Sequence, residues 1–151
     1  MDPDPASQPA GQGGGPSPAG PLPHEGVFVR LGVSAVHGIG VFALCPIARG
    51  TRIFANDGMP VRWVEQAALD RAGLSPAQAR LYHDFGVRRG DRIGCPLNFN
   101  YLTPSWYLNE PPAGAAASVA SDADLNFFAC RDIKEGEELT IDYSAFSEPI
   151  D

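Results

Sequence analysis

One spacing occurs twice in this sequence. Phe42-Ala43 is followed by Ile47, Gly50 and Ile53, and Phe128-Ala129 is followed by Ile133, Gly136 and Leu139 at the same intervals. Each set reads as a strand, a glycine turn and a second strand, because short apolar runs punctuated by glycine mark strands and turns. Two such units bracket the chain and restrict it to a β-rich fold of short strands. Shared turn chemistry is the plainer explanation of the match, and two copies are too few for a solenoid. The copies differ in charge: the first turn carries Arg49 and Arg52, the second Glu135, Glu137 and Glu138.

The second unit runs into Leu139-Thr140-Ile141-Asp142-Tyr143, which alternates apolar and polar residues as a half-buried strand does. That period places Tyr143 on the face of Leu139 and Ile141. A phenol delivered inward at a strand end is either a core tyrosine or a reactive-site group, since its hydroxyl must find a partner.

The rest of the chain divides by composition. Residues 1 to about 24 are dominated by Pro, Gly, Ser and Ala and read as a disordered leader. Val27-Phe28-Val29 opens the first strand, His37-Gly38-Ile39-Gly40 makes a turn, and Val41 to Leu44 is the next strand. Two glycines one residue apart serve either a tight turn or close approach of a ligand to backbone. A third glycine and a following helix are missing, so this is no dinucleotide fingerprint.

Asn56-Asp57-Gly58 signals a turn. Pro60 then opens a helical stretch to Ala72, with Val64, Ala67 and Ala68 on one face. Ser75-Pro76-Ala77-Gln78 is a capping box, and the helix it starts is expected to end at Phe85 with Ala77, Leu81 and Phe85 inward. His83 lacks a neighbouring ligand or base and reads as a packed or surface residue. Arg92 to Cys95 is a short strand. The aromatic run Ser105-Trp106-Tyr107-Leu108 leads to Asn109-Glu110 at a strand exit forced by Pro111-Pro112. Ala113 to Asp124 reads as a loop, and Leu125 to Cys130 as the penultimate strand.

At 151 residues the chain has room for one domain and a tail. No apolar run approaches the roughly 20 residues of a membrane span, and no signal pattern opens the chain. A cytoplasmic location is expected, or a nuclear one in a eukaryote. Cys45, Cys95 and Cys130 form no Cys-x-x-Cys pair, so neither a disulfide framework nor a metal site is expected, and buried thiols are the simpler reading. A net charge of −7 disfavours direct nucleic-acid binding; it suits solubility and basic partners such as lysine-rich peptides.

Taken in order, these features resemble the SET domain, the fold of protein lysine methyltransferases, from about Val27 to Phe146. His37 to Ala43 looks like the family's opening Gly-x-Gly segment, Ile47 to Gly50 like its Ile-x-x-Gly turn, and Gly136 to Tyr143 like its final motif. Trp106 to Glu110 occupies the place of its Asn-His-Ser-Cys-x-Pro-Asn motif. The resemblance implies a mainly β, β-clip type fold of small sheets over residues 25–151, with a helical insertion at about 60–86 and a C-terminal pseudoknot.

It also implies a function, S-adenosylmethionine-dependent methyl transfer to a lysine side-chain amine of a histone or non-histone protein. No flanking zinc modules, nucleic acid or membrane are called for, and a homodimer would complete a minimal substrate groove. Gly38, Ile39 and Gly40 would approach the cofactor through backbone, Asn109 and Glu110 would hold its amino and adenine groups, and Phe146 would pack beside the adenine. Tyr143 would stand near the sulfonium and the amine, with Tyr107 a second channel residue. Glu110 stands where the family has histidine, and the downstream Pro-Asn is missing. Those departures define an alternative, a catalytically weak or inactive SET-like interaction module.

Overall fold

A computed structural model describes residues 20–55 and 60–148. Most of the expected leader (1–19) and the turn expected at Asn56-Asp57-Gly58 lie outside the described residues. In chain order the elements are β1 (Val29–Val33), β2 (Ile39–Ala43), β3 (Arg62–Glu65), α1 (Gln66–Arg71), α2 (Pro76–Phe85), β4 (Val87–Arg89), β5 (Arg92–Cys95), β6 (Val119–Ser121), β7 (Phe127–Ala129) and β8 (Glu138–Leu139). They form small antiparallel sheets in the orders β1-β2-β8, β3-β5-β4 and β6-β7.

The repeated spacing is a pseudo-two-fold. Ile47 and Ile133, equivalent positions in the two units, exchange both backbone hydrogen bonds at 2.8 Å. Gly50 N–H donates to Ala129 O (2.7 Å), and its counterpart Gly136 N–H donates to Ala43 O (2.8 Å). Ala43 N–H donates to Glu137 O and Ala129 N–H to Thr51 O, both at 3.0 Å. Phe42 pairs with Glu138 as Phe128 pairs with Arg52. Each unit thus supplies the strand partner of the other. Gly50 and Gly136 have φ of +88° and +82°, where a side chain would strain the backbone.

The chain after Leu139 completes the knot expected from the resemblance. Ile141 N–H donates to Asn109 O (2.9 Å) on one side, and Val119 N–H donates to Thr140 O (3.0 Å) on the other. Residues 140–141 therefore run between the segment ending at Asn109 and the one starting at Ser118. Val41, Ile133, Leu139 and Ile141 are essentially inaccessible and form the centre of the core. Full burial of each such side chain contributes about 1.5–3 kcal/mol.

Several local expectations give way to tertiary pairing. The helix expected from Pro60 begins only at Gln66, because Arg62 to Glu65 pairs with β5 as β3. Leu69, not Val64, Ala67 or Ala68, is its buried residue. The segment expected as a helical insertion therefore begins in a three-stranded sheet with two helices that runs to Cys95. The capping box at Ser75 and Gln78 is present, but α2 buries no residue; Ala77 and Leu81 are exposed. Its contact face is Tyr82 and Phe85, which pack on Phe99 and Tyr107 at ring separations of 4.9 and 5.5 Å.

Gly86 ends α2 at φ −75°. A Cβ there would lie 2.4 Å from Tyr82 O and 2.6 Å from Ile93, so close packing demands the glycine. The expected loop 113–124 contains β6, paired with β7. Asn109 leaves a 3-10 turn (Pro104–Tyr107), not a strand. Cys95 is buried, but Cys45 is half-buried and Cys130 exposed, so the buried-thiol reading holds for one of three. Among the described residues no helix is long and apolar enough to cross a membrane.

Candidate functional site

The knot, the β1–β2 turn, the β6–β7 loop and the insertion face one open cleft of about 1670 Å³. A pocket for one small ligand is roughly 300–1,000 Å³, so the cleft exceeds what a single small ligand needs. Tyr143, Tyr107, Glu110 and Phe146 line it together with Gly38 and Ile39, although they come from three distant parts of the chain. Gly40 does not. It is buried behind the turn, where a Cβ would come within 2.7 Å of Glu138 Oε2.

Tyr143 departs from the strand expectation. Leu139 and Ile141 point into the core, but residue 143 opens a 3-10 turn (Tyr143–Ala145) and stays 40 % exposed. Asp142 causes the change by capping that turn, its carboxylate accepting from Ser144 N–H and Oγ–H. The Tyr143 hydroxyl donates to Leu108 O at 2.5 Å. Desolvation, with the nearby Glu110 charge adding to it, raises the phenol above its ordinary range.

This gives an alkaline linkage. The folded state favours the neutral phenol, so the contribution of Tyr143 to stability is present below about pH 10, the unfolded value, and is lost as pH rises through the folded value. Ultraviolet titration of the protein against Y143F should reveal one phenol ionising above pH ~10, the free tyrosine value. A phenol titrating below that value would contradict the assignment.

Asn109 is 7 % exposed, and its side chain serves the knot. The two hydrogens of Nδ2 are shared among His37 O (2.9 Å), Ile39 O (3.1 Å) and Glu138 Oε2 (3.1 Å). The Nδ2 of this amide holds the turn, and the residue borders the cleft. Glu110 is exposed at the rim.

Sequence reasoning missed Glu138, Ser34, Arg52 and Asn126. Glu138 accepts from Ser34 Oγ at 2.7 and 2.9 Å, and Arg52 Nη2 donates to Asn126 Oδ1 at 2.7 Å. The charge difference between the two repeated units was the available signal. The aromatic wall is a ladder of edge-on rings, Phe54–Phe127 (5.8 Å), Phe127–Phe146 (6.0 Å) and Phe146–Tyr143 (6.1 Å). Among the described residues there is no cluster of His, Cys, Asp or Glu arranged to hold a metal ion.

A family model described as the SET domain matches residues 38–144. Comparison with curated proteins finds no match. Among solved structures, a humanized mutant of the Chaetomium thermophilum Polycomb Repressive Complex 2, bound to the inhibitor GSK126, aligns at TM-score 0.56 and 18 % identity. The alignment covers 80 % of this chain and 15 % of that one, and it shows likeness of fold. A Plasmodium falciparum chain described as a candidate histone methyltransferase aligns at TM-score 0.44 and 15 % identity, over 76 % of this chain and 90 % of that one.

Proposed function

The chain belongs to the SET-domain family, and from that premise we propose that it is an S-adenosylmethionine-dependent protein-lysine N-methyltransferase. The observation that carries this reading is the meeting of the Tyr143 hydroxyl with the Leu108 carbonyl at the edge of the ring ladder, in the same cleft as the Gly38 turn.

The chain's residues fit the cofactor. Gly38 lines the cleft at φ +50° with nothing within 4 Å of where a Cβ would stand, so a ligand can lie against its backbone. The carbonyls of His37, Gly38 and Ile39 already accept one bond each, from Asn109 Nδ2, Ser34 N–H and Asn109 Nδ2. Each retains one lone pair for an ammonium donor. Glu110 adds negative charge at the rim, which favours a cationic ligand.

S-adenosylmethionine, when bound, supplies a methyl group on a sulfonium, and its transfer requires an amine that is neutral and aligned in line. Free lysine titrates near 10.4. The ring ladder would set apolar surface beside the amine, which disfavours its charged form and would lower that value. Tyr143 keeps its proton at neutral pH and donates it to Leu108 O, so its oxygen is left to accept from an amine N–H and does not act as the base; the amine proton leaves to solvent. The Leu108 carbonyl keeps a lone pair to orient an amine N–H. Alignment of this kind supplies several kcal/mol of barrier reduction.

Titration calorimetry with S-adenosylmethionine, followed by label transfer from labelled cofactor to lysate proteins and histones, tests the reading. Lys134 is the only lysine in the chain, so side-chain self-labelling is confined to one site and K134R removes that background. Cofactor binding with lysine labelling of another protein is the expected result. Binding with no transfer would instead support the interaction-module reading, which the exposed carboxylate of Glu110 at the family's histidine position favours.

A further inference from the structure

We propose that Glu138 and Arg52, equivalent positions in the two repeated units, are positioning residues that set opposite rims of the cleft. Glu138 holds the cofactor rim 36–39, and Arg52 holds the substrate rim 122–126. The division into cofactor and substrate sides rests on the methyltransferase reading; the positioning itself rests on the hydrogen bonds alone.

The backbone places the two residues alike, Glu138 opposite Phe42 and Arg52 opposite Phe128. Their side chains then reach different hairpin ends. The Glu138 carboxylate accepts from Ser34 Oγ and Asn109 Nδ2. Ser34 Oγ accepts in turn from Val36 N–H (2.9 Å) and His37 N–H (3.1 Å), and Asn109 Nδ2 reaches His37 O and Ile39 O. One carboxylate therefore ties both ends of the 36–39 turn to the knot. Gly40 makes room for it, since any Cβ would press on Oε2.

In the other unit the position equivalent to Gly40 is Asn126, whose Oδ1 takes the Arg52 guanidinium at 2.7 Å. Asn126 Nδ2 donates to Asp122 Oδ2 (3.0 Å), while Asp122 Oδ1 accepts the N–H groups of Asp124 and Asn126, both at 2.9 Å. The insertion adds Arg89 Nη1 to Ala123 O at 2.8 Å. Inside this cage Leu125 stands at φ +61°, a conformation that a leucine keeps only when its surroundings hold it there. Leu125 and Asn126 line the cleft, and the next residue, Phe127, joins the ring ladder that would surround an incoming amine. A carboxylate on one rim and a guanidinium on the other account for the Arg52/Glu138 difference between the two units, which keep the same turn.

Amide hydrogen exchange of the whole chain, read together with cofactor affinity, tests the assignment. E138A should speed exchange of the 36–39 amides by about tenfold or more, the loss of one charge-assisted hydrogen bond, and leave 122–126 unchanged. Its S-adenosylmethionine Kd should weaken by a similar factor, with E138Q, which keeps an acceptor oxygen, recovering most of it. R52A and the milder R52Q should loosen 122–126 alone, keep the cofactor Kd within about twofold, and lower label transfer at saturating cofactor by about fivefold or more. Exchange rising equally on both rims, or on neither, overturns the proposal. Rim-specific exchange in a chain that binds no S-adenosylmethionine upholds the positioning and overturns the methyltransferase reading instead.

Discussion

Y143F should lower kcat for lysine methylation by about 100-fold, the scale of removing one preorganised polar group from a reacting centre, with S-adenosylmethionine affinity changed by less than about threefold. The substitution keeps the ring, so the contact with Phe146 at 6.1 Å survives. It removes the donor to Leu108 O, which then loses the bond that fixes its direction beside the ring ladder. Single-turnover kinetics with calorimetric Kd values separate the two quantities. An unchanged kcat would show that Tyr143 only packs, while a cofactor Kd rising in step with the loss of turnover would move the residue from the chemistry to cofactor binding.

I141A should cost about 3 kcal/mol or more of folding stability, within the usual range for a buried Ile truncated to Ala. Ile141 is 1 % exposed, and its backbone bonds to Asn109 at the centre of the knot while Thr140 beside it bonds to Val119. A cavity there has little freedom to collapse, because strand segments hold the position from both sides. V33A, at an edge-strand residue 86 % exposed, should change stability by less than about 0.5 kcal/mol. Denaturant unfolding of the two variants measures the difference, and equal midpoints would mean that the knot is not a stability centre.

Much of the local structure was legible because its causes are local. Gly50 and Gly136 mark left-handed turns that few other residues adopt. Ser75 and Gln78 satisfy helix amides within one turn of chain. The final motif gave the position of Tyr143, and its alternation buried Leu139 and Ile141, but Thr140 on the face expected outward is buried too, because β8 ends at Leu139 and Thr140 bonds to Ser118 and Val119. The strand reading failed at Tyr143 itself because Asp142 caps a turn there, a side-chain bond that competes with the ladder.

The remaining errors share a cause. Trp63 and Val64 became a strand only because Gly94 and Ile93 of β5 lie alongside them, and Val119 to Ser121 only because β7 does. Ladder partners far along the chain leave no trace in local periodicity. Glu138 looked like one of several acidic turn residues, since the partners that distinguish it, Ser34 and Asn109, are remote in sequence.

By itself, then, the sequence determined where this chain turns, which residues seek the interior, and which family pattern it follows, since steric freedom, burial and spacing are properties of residues and their neighbours. Only the tertiary structure decided that the two repeated units pair with each other, that 140–141 pass between Asn109 and Val119, and that Glu138 and Arg52 reach opposite rims of one cleft. Those outcomes depend on hydrogen bonds between segments brought together by packing, and the direction of such a bond is set by the partner's position in space.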